Sequence, residues 1–178
     1  MNRIEKAVQI AIAAHEGQTR KHDGSPYIVH PVSVALILTR YGFDEIVVSA
    51  GVTHDVLEDT ECTEKELNDV LGKEVVEIVK TLSEDKTLSW EERKERYRNV
   101  VQKGSEAVKA VAVADKLHNL DNLLEAYRLQ GEQLWKQFTR GKEKQQENHR
   151  LFLEMLEASW QHPLVEEYRK RVERMLAL

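Results

Sequence analysis

Cysteine is nearly absent from this chain. Cys62 stands alone among 178 residues, so no intramolecular disulfide can form, which fits a reducing compartment. Proline and glycine are also sparse, at three and eight residues, and no segment alternates apolar and polar residues for long. That leaves no confident strand. No apolar run reaches the ~18 residues that a membrane-crossing helix needs, and no signal-peptide core follows Met1. The expected protein is soluble and cytoplasmic, with no membrane partner. Excess positive charge is missing too: the net charge is −5. A protein that coats nucleic acid is therefore disfavoured, although a local basic pocket is not. Aromatic residues make up only 6% of the chain, and Trp90, Trp135 and Trp160 read as packing residues rather than as a base-stacking platform.

What is present is helical periodicity. Ile4, Ala7, Val8, Ala11, Ile12 and Ala14 form an apolar stripe that closes near Gly17. The polar segment Gln18–Tyr27 is a loop with Gly24 and Pro26 as turn residues, and Tyr27 reads as packing that loop. Pro31 suits the first turn of a helix that stops at Gly42. Asp44 is a plausible N-cap for the next helix. Thr63 to Glu66 is a capping-box pattern, and its helix stops at Gly72. Helices follow over Lys73–Leu82 and in the charged stretch Glu84–Gln102, then in a segment apolar nearly all round up to Asp115. Two amphipathic helices, Glu143–Trp160 and Leu164–Leu176, close the chain. The spacing predicts an all-α fold of about eight to nine helices. Length favours one domain over 1–178, with its core at about 1–125 and C-terminal helices at 130–178. Exposed apolar positions on the last helix would allow a homodimer.

The densest polar cluster is Thr53–Thr60, THDVLEDT. A buried helix rich in Ile, Val and Ala runs into it. On a continuing helix, His54/Glu58 and Asp55/Asp59 are two i,i+4 pairs on adjacent stripes. So many polar groups at the end of an apolar helix are costly unless a metal or ligand compensates them. His30 lies between the polar loop and a helix start. Asp115 lies inside the most apolar helix, where a lone acid is unfavourable unless paired, and Asn119 follows it by four. Two imidazoles and two carboxylates form a mixed nitrogen/oxygen set that suits Mn²⁺, Fe²⁺ or Zn²⁺ better than Ca²⁺. His118 reads as a packing or supporting residue, and His15 and His22 as surface residues. Cys62 follows an acidic cluster, which makes its thiol less acidic and gives it no catalytic role.

These positions carry a resemblance. His30, His54-Asp55 and Asp115 match the H…HD…D signature of the HD-domain metal-dependent phosphohydrolases. GQTRKHDGSPYIVHPVSVA, THDVLEDT and VAVADKLHNLDNL are similar, in order and spacing, to the hydrolase domain of the RelA/SpoT alarmone family, the small stand-alone hydrolases in particular. The resemblance covers about residues 1–125 and implies a single all-α HD-domain bundle. It implies Mn²⁺-dependent removal of the 3′-pyrophosphate from guanosine 3′,5′-bis(diphosphate), ppGpp, or its pentaphosphate relative. On that resemblance His30, His54, Asp55 and Asp115 hold the metal, and Glu58 and Asp59 serve the attacking water. Asn119 helps hold the nucleotide, Arg20 and Lys21 lie by the guanine, and the segment with Arg93, Lys94 and Arg96 faces phosphate, Lys94 foremost. Beyond residue 125 the chain departs from the family pattern. Lys144 is the best match for a distal basic contact, but Glu147, Asn148 and His149 stand where an aromatic residue is expected. That departure sets up two alternatives: a phosphohydrolase acting on another nucleotide or phosphorylated small molecule, and a module that binds an alarmone without hydrolysing it.

Overall fold

Helices begin where the sequence supplies caps. A computed structural model describes residues 1–20 and 24–178. In it, α1 (Arg3–Ala14) opens on a capping box between Asn2 and Glu5. Helix α2 (Val29–Arg40) carries Pro31 in its first turn, where a missing N–H costs nothing. The Asp44 carboxylate accepts the Ile46 and Val47 amides, each at 3.0 Å, and starts α3 (Glu45–Thr53). A four-residue helix, α4 (Val56–Asp59), follows directly. The capping box expected at Thr63 forms with Glu66 and opens α5 (Glu64–Leu71). Next come α6 (Lys73–Leu82) and α7 (Trp90–Lys103), the latter capped reciprocally by Ser89 and Glu92. Helix α8 (Glu106–Gln130) is the longest of these elements, at 25 residues. A 3-10 helix over Gly131–Gln137, α9 (Gly141–Ser159) and α10 (Pro163–Leu176) complete the order. Among the described residues there is no strand, only an isolated bridge between Thr19 and Pro26. The all-α expectation holds.

The chain divides into two compact units, Met1–Asp115 and Lys116–Leu178, with the division inside α8. In the first unit α3 is the central element, packed by α1, α2 and α6. All seven of its residues from Val47 to Thr53 are buried. At 1.5–3 kcal/mol for each fully buried aliphatic side chain, those contacts compensate for the polar cluster that ends the helix. The five residues Ala110–Ala114 on α8 are likewise fully buried, and they lead straight into Asp115.

Helices α2 and α3 approach closely at Gly51. A Cβ built there would meet the Leu38 Cδ1 at 2.4 Å, and Leu38 is itself fully buried. Overpacking of this kind costs roughly 1–3 kcal/mol. Gly51→Ala is therefore expected to lower the unfolding free energy by that amount, read as a lower urea midpoint at an unchanged slope. An unchanged midpoint would mean that Leu38 can repack freely.

The second unit is held by α9 against α10. Phe152 meets Tyr168 edge to face at 5.8 Å, and the Tyr168 hydroxyl lies 2.7 Å from His149 Nδ1. Both His149 and Tyr168 are buried.

Candidate metal centre

Three elements of the first unit bring the signature residues together. His30 sits on the first turn of α2, His54 follows the last residue of α3, and Asp115 lies on α8. One ligand atom from each of these three lies within 4.8 Å of the others. They are 1%, 6% and 7% exposed. His30 Nε2 is 3.1 Å from Asp115 Oδ1, and His54 Nε2 is 3.7 Å from the same oxygen. Asp55 completes the group, with Oδ2 at 3.1 Å from His54 Nε2 and 3.8 Å from His30 Nε2.

His54 and Asp55 are neighbours, and on an unbroken helix their side chains would diverge by about 100°. The helix is in fact interrupted at this pair: α3 ends at Thr53 and α4 begins at Val56. The cause is local. His54 Nδ1 lies 2.8 Å from the Gly51 carbonyl, so it competes for the acceptor that a continuing helix would offer to Asp55. The break aims both side chains into one site. It also replaces the two stripes expected for His54/Glu58 and Asp55/Asp59 with a different division. His54 and Asp55 face the centre, while Glu58 and Asp59 engage the segment after α6.

The contact with Gly51 fixes a tautomer as well. A carbonyl only accepts, so Nδ1 carries a proton, and in the neutral ring Nε2 is the nitrogen that offers a lone pair. That Nε2 is buried and has no aligned hydrogen-bond partner among the described residues. Burial alone would lower the His54 pKa, but the carboxylates of Asp55 and Asp115 outweigh it and hold the value well above the ordinary one. Burial would raise the Asp55 carboxyl, but His54 beside it holds the pKa down to about 2. A buried ring nitrogen facing two carboxylates, with a second imidazole alongside, is a donor set that fits a divalent cation once the cation displaces the Nε2 proton.

Glu58 accepts the Glu84 amide at 2.9 Å. Lys86 reaches both the Glu58 carbonyl at 2.8 Å and the Asp59 carboxylate at 2.6 Å. Burial pushes the Glu58 pKa up, with Asp59 and Asp55 adding to it, against the opposing amide bond. Lys94 is half-buried and pairs with Glu84 at 2.7 Å; Arg93 lies 3.4 Å from the same carboxylate. Arg96 is 3.5 Å from Asp85. Arg20 lies over the Tyr27 ring, 5.7 Å from its centroid. Lys21 falls outside the described residues. Asn119 is one turn beyond Asp115 on α8, in the second unit. Lys144 on α9 pairs with Glu147 at 2.7 Å.

Two expectations need correction. His15, expected at the surface, is only 3% exposed. It continues the buried positions Ala7 and Ala11 by a further step of four, a signal the sequence did contain. Tyr27 does more than pack its loop: its hydroxyl donates to Asp55 Oδ2. No local pattern in the sequence marks Glu84, Lys86 or Gln18, which contact Glu58, the Asp59 carboxylate and the Asp59 carbonyl. Cys62 behaves as expected, its thiol pushed up by burial and by Glu66.

The model of the HD domain family matches residues 7–141 of this sequence. The chain belongs to the HD-domain family. An HD-domain relative, the bifunctional (p)ppGpp synthase/hydrolase SpoT of Escherichia coli K12, is 35% identical over 129 residues, which is 69% of this chain and 18% of SpoT. The chain thus spans less than a fifth of that relative's length. The guanosine-3′,5′-bis(diphosphate) 3′-pyrophosphohydrolase MESH1 of Danio rerio is 39% identical over 121 residues, covering 66% of this chain and 67% of MESH1. A solved metazoan ortholog of SpoT, described as hydrolysing ppGpp, superposes with a TM-score of 0.84 over 100% of this chain and 98% of its own, at 24% identity. At that identity it speaks for the fold. The family resemblance read from His30, His54-Asp55 and Asp115 is thereby borne out. No helix among the described residues is long and apolar enough to cross a membrane.

Proposed function

We propose that this chain is a divalent-metal-dependent phosphohydrolase that removes the 3′-pyrophosphate from ppGpp, with Mn²⁺ as the working ion. The observation that carries the proposal is the convergence of His30, Asp55 and Asp115 on the buried His54 Nε2. The 39% identity to a protein named as a ppGpp 3′-pyrophosphohydrolase supplies the substrate. These four residues would hold the ion. When bound, it would lower the pKa of a coordinated water and neutralise charge on a phosphoryl oxygen.

The chain's own residues have three tasks. Glu58, with its raised pKa, accepts a proton from the attacking water. Asp59, pinned by Lys86, steadies that end of α4. Arg20 and Lys94 of the first unit bind the nucleotide by charge-assisted hydrogen bonds to its phosphates. Hydrolysis of the bond between the 3′ oxygen and the pyrophosphate group yields GDP and pyrophosphate.

The test is turnover of ppGpp by metal-stripped protein, with and without added Mn²⁺. Release of pyrophosphate together with GDP only when Mn²⁺ is present supports the reading. Mn²⁺ bound without turnover points to a non-hydrolytic alarmone-binding module instead. A second substrate remains worth testing for a specific reason. Glu147 already pairs with Lys144, and His149 is buried against Tyr168 where the resemblance expects an aromatic residue nearby. A panel of 3′- and 5′-phosphorylated nucleotides under the same conditions separates ppGpp from such an alternative.

A further inference from the structure

We infer that Tyr27 is a positioning residue for the metal centre, holding the Asp55 carboxylate in the orientation that lets it share an ion with His30 and His54. The inference rests on the metal-centre reading above. Its basis is geometric. Tyr27 donates its hydroxyl to Asp55 Oδ2, the same oxygen that lies 3.1 Å from His54 Nε2 and 3.8 Å from His30 Nε2. Asp55 begins α4 with no capping contact from its own side chain, and it is the ligand at the helix break, where backbone regularity constrains it least. A carboxylate oxygen has a second lone pair, so one donor can fix its direction while the other lone pair faces the ion.

Tyr27 is itself held from several sides. Its ring lies 4.6 Å from that of buried His15 and meets the His30 ring edge-on at 5.9 Å. Its amide donates to the Gln18 carbonyl at 2.9 Å. The Gln18 side chain completes the brace: its Oε1 lies 2.9 Å from His15 Nδ1, and its Nε2 donates to the Asp59 carbonyl at 3.0 Å. The two ends of the Gln18 amide therefore tie His15, at the end of α1, to Asp59, the last residue of α4. The hydroxyl is aimed by a rigid surround.

The experiment is direct Mn²⁺ binding to the metal-stripped chain, followed by the electron paramagnetic resonance signal of free Mn²⁺. Tyr27→Phe keeps the ring and its contacts with His15, His30 and Arg20, and removes only the donor. Loss of such a supporting hydrogen bond typically weakens metal binding 10–100-fold. The expected result is a Kd raised by that factor, with an unchanged KM for ppGpp and a kcat restored by excess Mn²⁺. A Kd within twofold of the parent, or a loss of kcat that saturating Mn²⁺ does not restore, overturns the assignment. His54→Ala is measured alongside. If it abolishes Mn²⁺ binding while Tyr27→Phe leaves it intact, the metal centre stands and Tyr27 is not its positioning residue. If the parent protein takes up no Mn²⁺, the metal centre itself is wrong and the assignment falls with it.

Discussion

Asp115→Ala is expected to abolish Mn²⁺-dependent turnover and the thermal shift that Mn²⁺ produces. Asp115 is the one carboxylate among the three groups that lie within 4.8 Å of one another, and its Oδ1 faces both imidazoles. Removing a supporting residue around a metal ligand costs 10–100-fold in affinity, and removing a ligand costs more. A ligand at 100 times its Kd stabilises a fold by about 2.7 kcal/mol, so the parent should show a clear rise in Tm with excess Mn²⁺, and the variant none.

The metal-free protein carries the matching pH signature. The His54 pKa is raised in the folded state, so its contribution to stability is fully present below the unfolded value of about 6.5. That contribution is lost as pH rises through the folded value. Metal competes with this proton, so the Mn²⁺-induced shift should grow with pH. In Asp115→Ala one of the two carboxylates that hold the pKa up is gone, and the pH dependence should flatten. Calorimetric scans across pH, with and without Mn²⁺, check both points. A variant that still shows the full Mn²⁺ shift would remove Asp115 from the ligand set.

Glu58→Gln should lower kcat by 10²–10⁴-fold, the usual contribution of a positioned base, while leaving KM and Tm close to those of the parent. Glutamine keeps an oxygen that can accept the Glu84 amide, now 2.9 Å from the carboxylate, so the contact between α4 and the segment after α6 survives. The pH profile gives the discriminating result. Because burial raises the Glu58 pKa, its base form is lost as pH falls through a value above the ordinary glutamate figure of about 4.3. The parent should show that acid limb in kcat, and Glu58→Gln should lose it. If Asp59→Asn removes the limb and Glu58→Gln does not, the base is Asp59, whose carboxylate is ion-paired with Lys86.

How much of this was legible depends on how far apart the partners lie. The caps at Asp44 and Thr63 and the apolar run ahead of Asp115 act within a few residues, and the sequence shows them directly. The signature ligands were legible because a family pattern fixes their order and spacing. The helix break was not, because periodicity carries an amphipathic pattern straight through HDVLED. It coincides with a side-chain contact of His54 to a backbone carbonyl, which leaves the apolar period unaltered. Tyr27 with Asp55, Glu58 with Glu84 and Lys86 with Asp59 are 28, 26 and 27 residues apart. No local propensity encodes such pairs; they follow from which helices pack together. Lys144 was legible as a cation, but its pairing with Glu147 three residues on was also there to be read from helical spacing.

The spacing of the ligands along the chain has a consequence for biosynthesis. His30, His54 and Asp115 come from α2, the end of α3 and α8, so the first two emerge from the ribosome well before the third. A nascent chain that has made His54 holds two imidazoles and Asp55 but lacks the carboxylate that faces them both. It cannot close the centre until the buried stretch Ala110–Ala114 has docked and carried Asp115 into place. If these residues hold the ion as proposed, metal capture waits on Asp115, and an occupied centre reports that the start of α8 has docked.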